Sequence, residues 1–295
     1  SLTRIEPPLH PDGPEKILID FGIEPEEFRE DDLLEWFTKP IDSTGGYQPK
    51  HDSPTEGIFA PWAFYKKDFQ EIGGHDPIFA PQSKEDTDIF NRFQLNGIKF
   101  IQTWEGCVYH MTCRGSRFAD GAKRNPDGEV FMKNRETDEW LKQNQKSTRE
   151  FLRKWGHYCK HDPLMKPIIP HKYDIGFIVN NCTNQLLTGL EPWCSNIYVD
   201  LHQSNFYNYI TTESPNTSFD LYERVKPIQN EKNNEILVTI DGNKFTQQDF
   251  QYIQQLSEIL ADSAEPGFHG ELGNIIVEIF ETMTTLENNL IICNE

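Results

Sequence analysis

Between Asp174 and Phe280 short apolar runs alternate with helical patterns, and no other feature of the chain restricts its fold as strongly. Asp174–Val179, Asn196–Asp200, Ile236–Ile240 and Ile275–Phe280 read as strands. Thr183–Leu190 reads as a helix, and Thr246 with Asp249 caps a long helix running to Leu260. Strands separated by helices return parallel, so residues 171–295 are expected to form a small three-layer α/β domain with a largely parallel sheet. No glycine-rich phosphate loop of either common type is present, which leaves dinucleotide binding there without support. The stretch Pro163–Pro170, which contains LMKPIIP, marks the boundary with residues 1–165.

The first part has a different texture. Pro7-Pro8, Pro11-Asp12-Gly13-Pro14, Gly45-Gly46 and Ser53-Pro54 punctuate residues 1–60, where only Glu15–Phe21 and Asp31–Phe37 look regular. Gly57–Phe64 then reads as a strand and Lys66–Ile72 as a helix stopped by Gly73-Gly74. A second helix is predicted to start with a capping box at Ser83-Lys84-Glu85-Asp86, to bury Ile89, Phe90 and Phe93, and to end at Gly97. Ile98–Thr103 and Cys107–His110 are strand-like, and Thr137–Trp155 is a charged helix expected to bury Trp140, Leu141, Phe151, Leu152 and Trp155.

Charge excludes some functions. With 28 basic against 47 acidic residues and a net charge of -19, the chain has no basic footprint for nucleic acid. No apolar run approaches the roughly 20 residues that span a bilayer. None of the six cysteines forms a Cys-x-x-Cys pair, so reduced thiols in a cytoplasmic protein are expected. The run His157-Tyr158-Cys159-Lys160-His161 alternates ligand types and reads as coincidence on a surface segment. The chain opens at Ser1 with neither methionine nor signal peptide, as a fragment or processed product does.

Candidate chemistry concentrates between Lys66 and Arg117. Glu85, Asp86 and Asp88 crowd one helix's first turn, where acids complement the macrodipole by roughly 0.3–1 kcal/mol each. Capping alone does not need three mutually repelling carboxylates, so a divalent cation, a positive substrate group or an arginine is implied nearby. The dipole is expected to keep Asp86 ionised and ready to accept a proton. His110 ends a strand-like run and precedes a flexible segment carrying Arg114 and Arg117. Guanidinium groups pair bidentately with phosphate oxygens, and a histidine beside such a loop suits a metal bridged to a diphosphate. Gly73-Gly74 permits close backbone approach to a ligand, with His75 and Asp76 able to hydrogen-bond hydroxyls; the same glycines also serve as a helix C-cap. Trp62 and Trp104 can stack on sugar rings, although core packing is the expected role of both.

Taken in order, KKDFQEIGGHD, EDTDIFNR, GIKFIQTWEGCVYH and the terminal FLRKWG resemble the second half of a GT-A glycosyltransferase of the large inverting family two, over roughly residues 57–156. The resemblance implies a nucleotide-diphosphate-sugar donor, a glycan or other hydroxyl acceptor, and Mn²⁺ or Mg²⁺. It implies that Asp86 is the base, that Glu85 positions the acceptor, and that Gly74, His75, Asp76 and Trp62 line the acceptor side. It implies that His110 helps hold the metal and that Arg114 and Arg117 lie on the loop closing over the diphosphate. The family's opening βαβ half, which ends in Asp-x-Asp, has no counterpart before residue 57; Thr3-Arg4-Ile5-Glu6-Pro7-Pro8 is similar to the segment following that motif. Asp86-Thr87-Asp88 is read as the base motif rather than the metal motif. Residues 171–295 are an appended domain under this reading, and a homo-oligomer is compatible with it. The competing expectation is a non-catalytic carbohydrate-binding or assembly protein that retains the fold.

Overall fold

The structure is a computed structural model that describes residues 2–8, 16–39, 53–54, 61–111, 122–132, 137–162 and 166–293. The chain falls into two compact units, each assembled from separate stretches. Unit 1 comprises Ser1–Gln70, Gly97–Gln143 and His161–Pro167; unit 2 comprises Glu71–Asn96, Asn144–Lys160 and Ile168–Glu295. The Gly-Gly turn and the acid-rich helix thus belong to the same unit as the C-terminal sheet. Among the described residues no helix is long and apolar enough to cross a membrane.

Unit 1 is built on a sheet in the order β2-β1-β4-β3, from β1 (Leu2–Glu6), β2 (Lys16–Leu18), β3 (Ser53–Pro54) and β4 (Ile101–Tyr109). β1 runs parallel to both β2 and β4. Buried Ile5, Phe21 and Trp36 form its core with help from helix α1 (Glu30–Thr38) and Tyr109, whose hydroxyl donates to the Gly22 carbonyl at 2.6 Å. A hairpin of β5 (Ala122–Arg124) and β6 (Val130–Met132) is tied by Arg124 to Asp20 at 2.6 Å. The two strands predicted around Trp104-Glu105-Gly106 are one strand, β4, whose pairing with β1 jumps from Leu2–Thr103 to Thr3–Cys107, so the expected interruption survives as an irregularity in the register. In the predicted strand Gly57–Phe64, residues 61–64 are irregular and 57–60 lie outside the described residues. Helix α2 (Lys66–Glu71) follows.

Unit 2 carries a sheet in the order β11-β12-β10-β7-β8-β9. β7 (Ile175–Asn180), β8 (Asn196–Val199), β9 (Val225–Pro227) and β10 (Ile236–Asp241) are mutually parallel; β11 (His269–Leu272) and β12 (Ile275–Ile279) add an antiparallel edge. The molecule is therefore mixed α/β with a mostly parallel sheet. Central β7 is buried almost throughout, as a strand flanked on both sides must be, whereas β12 alternates. β7 lies between β8 and β10, so the strand order reverses beside it. Such a crevice often takes nucleotides, but the loop amides of Asn181 and Cys182 already donate to the Asp200 carboxylate at 2.6 and 2.8 Å. No phosphate cradle is left there.

Helices α5 (Asn184–Leu190), α6 (Gln203–Glu213) and α7 (Leu221–Arg224) link the parallel strands. The predicted long helix after Thr246 is two, α8 (Gln247–Gln254) and α9 (Leu256–Ser263), broken at Gln255 with φ -107° and ψ 4°. Its capping box forms as expected, and Asp249 also accepts from the backbone and side-chain amides of Asn274 at 2.9 and 3.0 Å. Burial pushes the Asp249 carboxyl up, but the bonds from Asn274 and Thr246 outweigh it and hold the group at about 2. Gly273 completes this turn with φ +62°, and a Cβ there would lie 2.4 Å from Asp249 Oδ1. Asp249→Ala is expected to cost about 2 kcal/mol in urea unfolding at pH 7, from one lost cap and two orphaned amides.

Residues 71–96 and 144–160 supply the rest of unit 2 through α3 (Glu85–Leu95) and the later turns of α4 (Asp138–Trp155). Phe79, Phe151 and Trp155 form a buried aromatic cluster, joined by the His157 ring at 5.9 Å from Phe151. Leu141, expected to be buried, is exposed. Five free cysteines are described, and Cys113 lies outside the described residues.

His157 contacts the Tyr158 carbonyl through Nδ1 at 2.7 Å, while its buried Nε2 has no hydrogen-bond partner among the described residues. Burial is the main cause that lowers its pKa from 6.5 to about 4. The unfolded chain therefore binds more protons between those values, and stability falls as pH drops through that window. His157 is expected to contribute a loss of about 2 kcal/mol between pH 7 and pH 5, read as the difference in urea midpoint from His157→Phe, which lacks this titration.

Candidate functional site

The acid-rich start of α3 is not held as the sequence suggests. Ser83 and Lys84 both adopt left-handed backbone, φ 80° and 74°, and no side chain caps the helix. The Ser83 hydroxyl instead donates to Asn144 Oδ1 at 2.7 Å. Two successive non-glycine residues in this region are strained, a condition found most often beside functional groups. They deliver Glu85 and Asp86 into the first turn.

The three carboxylates then meet different environments. Asp88 is fully buried and belongs to the scaffold: Oδ2 accepts from Arg92 Nε at 2.8 Å, and Oδ1 from Trp155 Nε1 at 2.9 Å and Lys154 Nζ at 2.6 Å. The arginine implied by the surplus of acids is thus Arg92, one turn along the same helix. Asp86 stays open to solvent, yet the protein crowded around it, followed by the charge of Glu85, raises its carboxyl from 3.8 to about 6. The expected dipole effect is outweighed, although a group at that value is still largely ionised at pH 7. Glu85 Oε2 is buried without a hydrogen-bond partner among the described residues.

The Gly-Gly turn packs under this helix. Gly73 and Gly74 have φ 78° and 79°, and Arg92 donates to the carbonyls of Ile72 and Gly74 at 2.8 and 2.7 Å. Asp76 caps the next turn through Ile78 N–H at 3.1 Å and binds Lys154 Nζ at 2.7 Å, so both of its oxygens are engaged within the protein. His75 follows the same turn. Lys154 was legible only as part of FLRKWG, and nothing in the sequence pairs it with Asp76 and Asp88.

Asp76, Asp88 and Cys293 bring ligand atoms within 4.8 Å of one another. These donors do not fit Mn²⁺ or Mg²⁺. The Lys154 ammonium lies within 2.7 Å of both carboxylates, where a cation would be, and burial raises the Cys293 thiol, keeping it a poor partner for a hard ion. In unit 1 the His110 Nδ1 meets Glu6 Oε2 at 2.8 Å, at the end of β4 beside β1. A carboxylate on one ring nitrogen turns the other outward, so His110 Nε2 fits a single metal position. Trp62 lies half-buried outside regular structure in unit 1; Arg114 and Arg117 lie outside the described residues. No family model, curated protein or solved structure matches the chain.

Proposed function

We propose that the chain is the acceptor-side part of a cytoplasmic GT-A glycosyltransferase, which moves a sugar from a nucleotide-diphosphate donor to an acceptor hydroxyl with inversion. The observation that carries this reading is Asp86: a solvent-accessible carboxylate poised at about 6, beside the unsatisfied Glu85 oxygen and behind a strained turn. A general base must reach its substrate and hold a proton near working pH, and this group meets both needs. Asp86 takes the acceptor's proton as the hydroxyl oxygen bonds to the anomeric carbon, and the bond from that carbon to the diphosphate oxygen breaks. Glu85, the base's neighbour on the same turn, positions the acceptor. His110 would hold a divalent ion in part, and that ion would supply positive charge against the departing diphosphate. Arg114 and Arg117 add charge to the same leaving group.

The test is nucleoside-diphosphate release from a panel of nucleotide sugars, using the full-length gene product with Mn²⁺. Release that stops on chelation and resumes with added metal is expected. Glycan binding that is indifferent to Mn²⁺, with no nucleotide released from any donor, would instead establish a non-catalytic carbohydrate-binding protein.

A further inference from the structure

A cavity of about 600 Å³ in unit 2 lies beside Lys154, away from Asp86, and no step above uses it. Its volume falls in the range that takes small ligands. Pro77, Ile78, Phe219, Leu290 and Ile292 give it an apolar wall, and the rest is unusually rich in cations. All but one of those cations are neutralised. Arg153 pairs with Glu150, Glu191 and Glu213; Arg224 with Glu191; Lys154 with Asp76 and Asp88.

The exception is Lys172. Among the described residues its Nζ contacts only the Arg153 carbonyl, at 3.1 Å near the end of α4, and no carboxylate pairs with it. That contact uses one of three ammonium protons, leaving donors for a further partner. Gly156 makes room for the side chain: a Cβ there would stand 3.4 Å from Nζ. The backbone amides of Ser195 and Ser218, which also line the cavity, are bonded to Ile175 and Glu150, while their hydroxyls have no partner among the described residues. A half-buried, uncompensated cation in a chain of net charge -19 is costly unless something negative joins it.

We propose that this cavity binds an amphipathic monocarboxylate, with the carboxylate on Lys172 and the hydroxyls of Ser195 and Ser218 and the apolar body against Phe219 and Leu290. One surplus positive charge matches one carboxylate; a phosphate dianion would leave a negative charge uncompensated. Burial, then the charge of Arg224, lowers the Lys172 amine from 10.5 to about 8, against weaker support from Cys194 and Asp174. Arg153 and neutral His157 complete its surroundings. Binding of a carboxylate stabilises the ammonium, so affinity falls as pH rises past about 8 and proton uptake accompanies binding above that value. The site is independent of the glycosyltransferase reading, since neither Asp86 nor a nucleotide takes part.

The probe is sodium octanoate, titrated calorimetrically into the full chain, with 1-octanol and inorganic phosphate as comparisons. Saturable octanoate binding is expected, at least about tenfold weaker in Lys172→Met and at least about tenfold weaker at pH 9.5 than at pH 7. Octanol and phosphate are expected to bind no better than octanoate binds that variant. Equal affinity for octanoate and octanol, phosphate that displaces octanoate, an unchanged Lys172→Met, or no binding at millimolar octanoate would each overturn the proposal. If Lys172→Met does not fold, the wild-type pH dependence and proton uptake decide the same question.

Discussion

Under the proposed glycosyltransferase reading, Asp86→Asn is expected to lower sugar transfer by about 10²–10⁴-fold at pH 7 while leaving the protein at least as stable as the parent. The two readouts move in opposite directions for one physical reason. Crowding and Glu85 make the fold hold a proton on Asp86 more tightly than the unfolded chain does. Between about 3.8 and about 6 the folded state therefore binds more protons, so stability falls as pH rises through that window, and at pH 7 the ionised carboxylate is a net burden. An amide removes the burden together with the base. The parent's transfer rate should climb with pH through about 6 and then level off, because only the ionised form accepts a proton. A folded Asp86→Asn that keeps full turnover would remove Asp86 from the mechanism. A variant that loses activity by unfolding would make the residue structural.

Glu191→Gln is expected to cost about 3–5 kcal/mol, read from urea denaturation at pH 7. Glu191 is fully buried; Oε1 accepts from Arg224 Nε at 2.7 Å and Oε2 from Arg153 at 2.7 Å and the Tyr209 hydroxyl at 3.0 Å. Burial works to raise its carboxyl, but Arg224 and Arg153 prevail and hold it at about 2. The amide keeps the shape and removes the charge, which leaves buried guanidinium groups short of a counter-ion. The exposed pair Arg29–Asp32 offers a contrast: Asp32→Asn should cost under about 1 kcal/mol, because water and salt already screen it. Equal effects at the two positions would show that the Glu191 web is not a desolvated unit.

The sequence announced the parts of the fold that are buried and continuous. β7, β8, β10 and β12 begin and end within a residue or so of the expected positions, because apolar runs bounded by turn formers leave few alternatives. β9 and β11 went unread. Val225-Lys226-Pro227 is too short and polar to show a period, and His269–Leu272 is a half-exposed edge. Gln255 carries no helix-breaking signal, so the interruption between α8 and α9 reflects packing rather than propensity. The cap at Ser83 failed because its hydroxyl is claimed by Asn144, far along the chain. In the candidate site Glu85 and Asp86 were legible as neighbours on one turn. The Asp76–Asp88–Lys154 triad and the Lys172 cavity were not, since each joins stretches that only the folded chain brings together.

That last property bears on how the protein is made. The Cys293 amide donates to the Ile72 carbonyl at 3.3 Å, and its thiol reaches the Gly74 carbonyl, so the turn beneath the acid-rich helix is closed by the last described residue. A ribosome delivers Ile72 long before Cys293. Throughout that interval the nascent chain holds Phe79, Phe151 and Trp155 with their covering partner Leu290 still unsynthesised. Unit 2 therefore completes its core only once Leu290 and Cys293 have been made, and its early segments are the ones a chaperone would meet first.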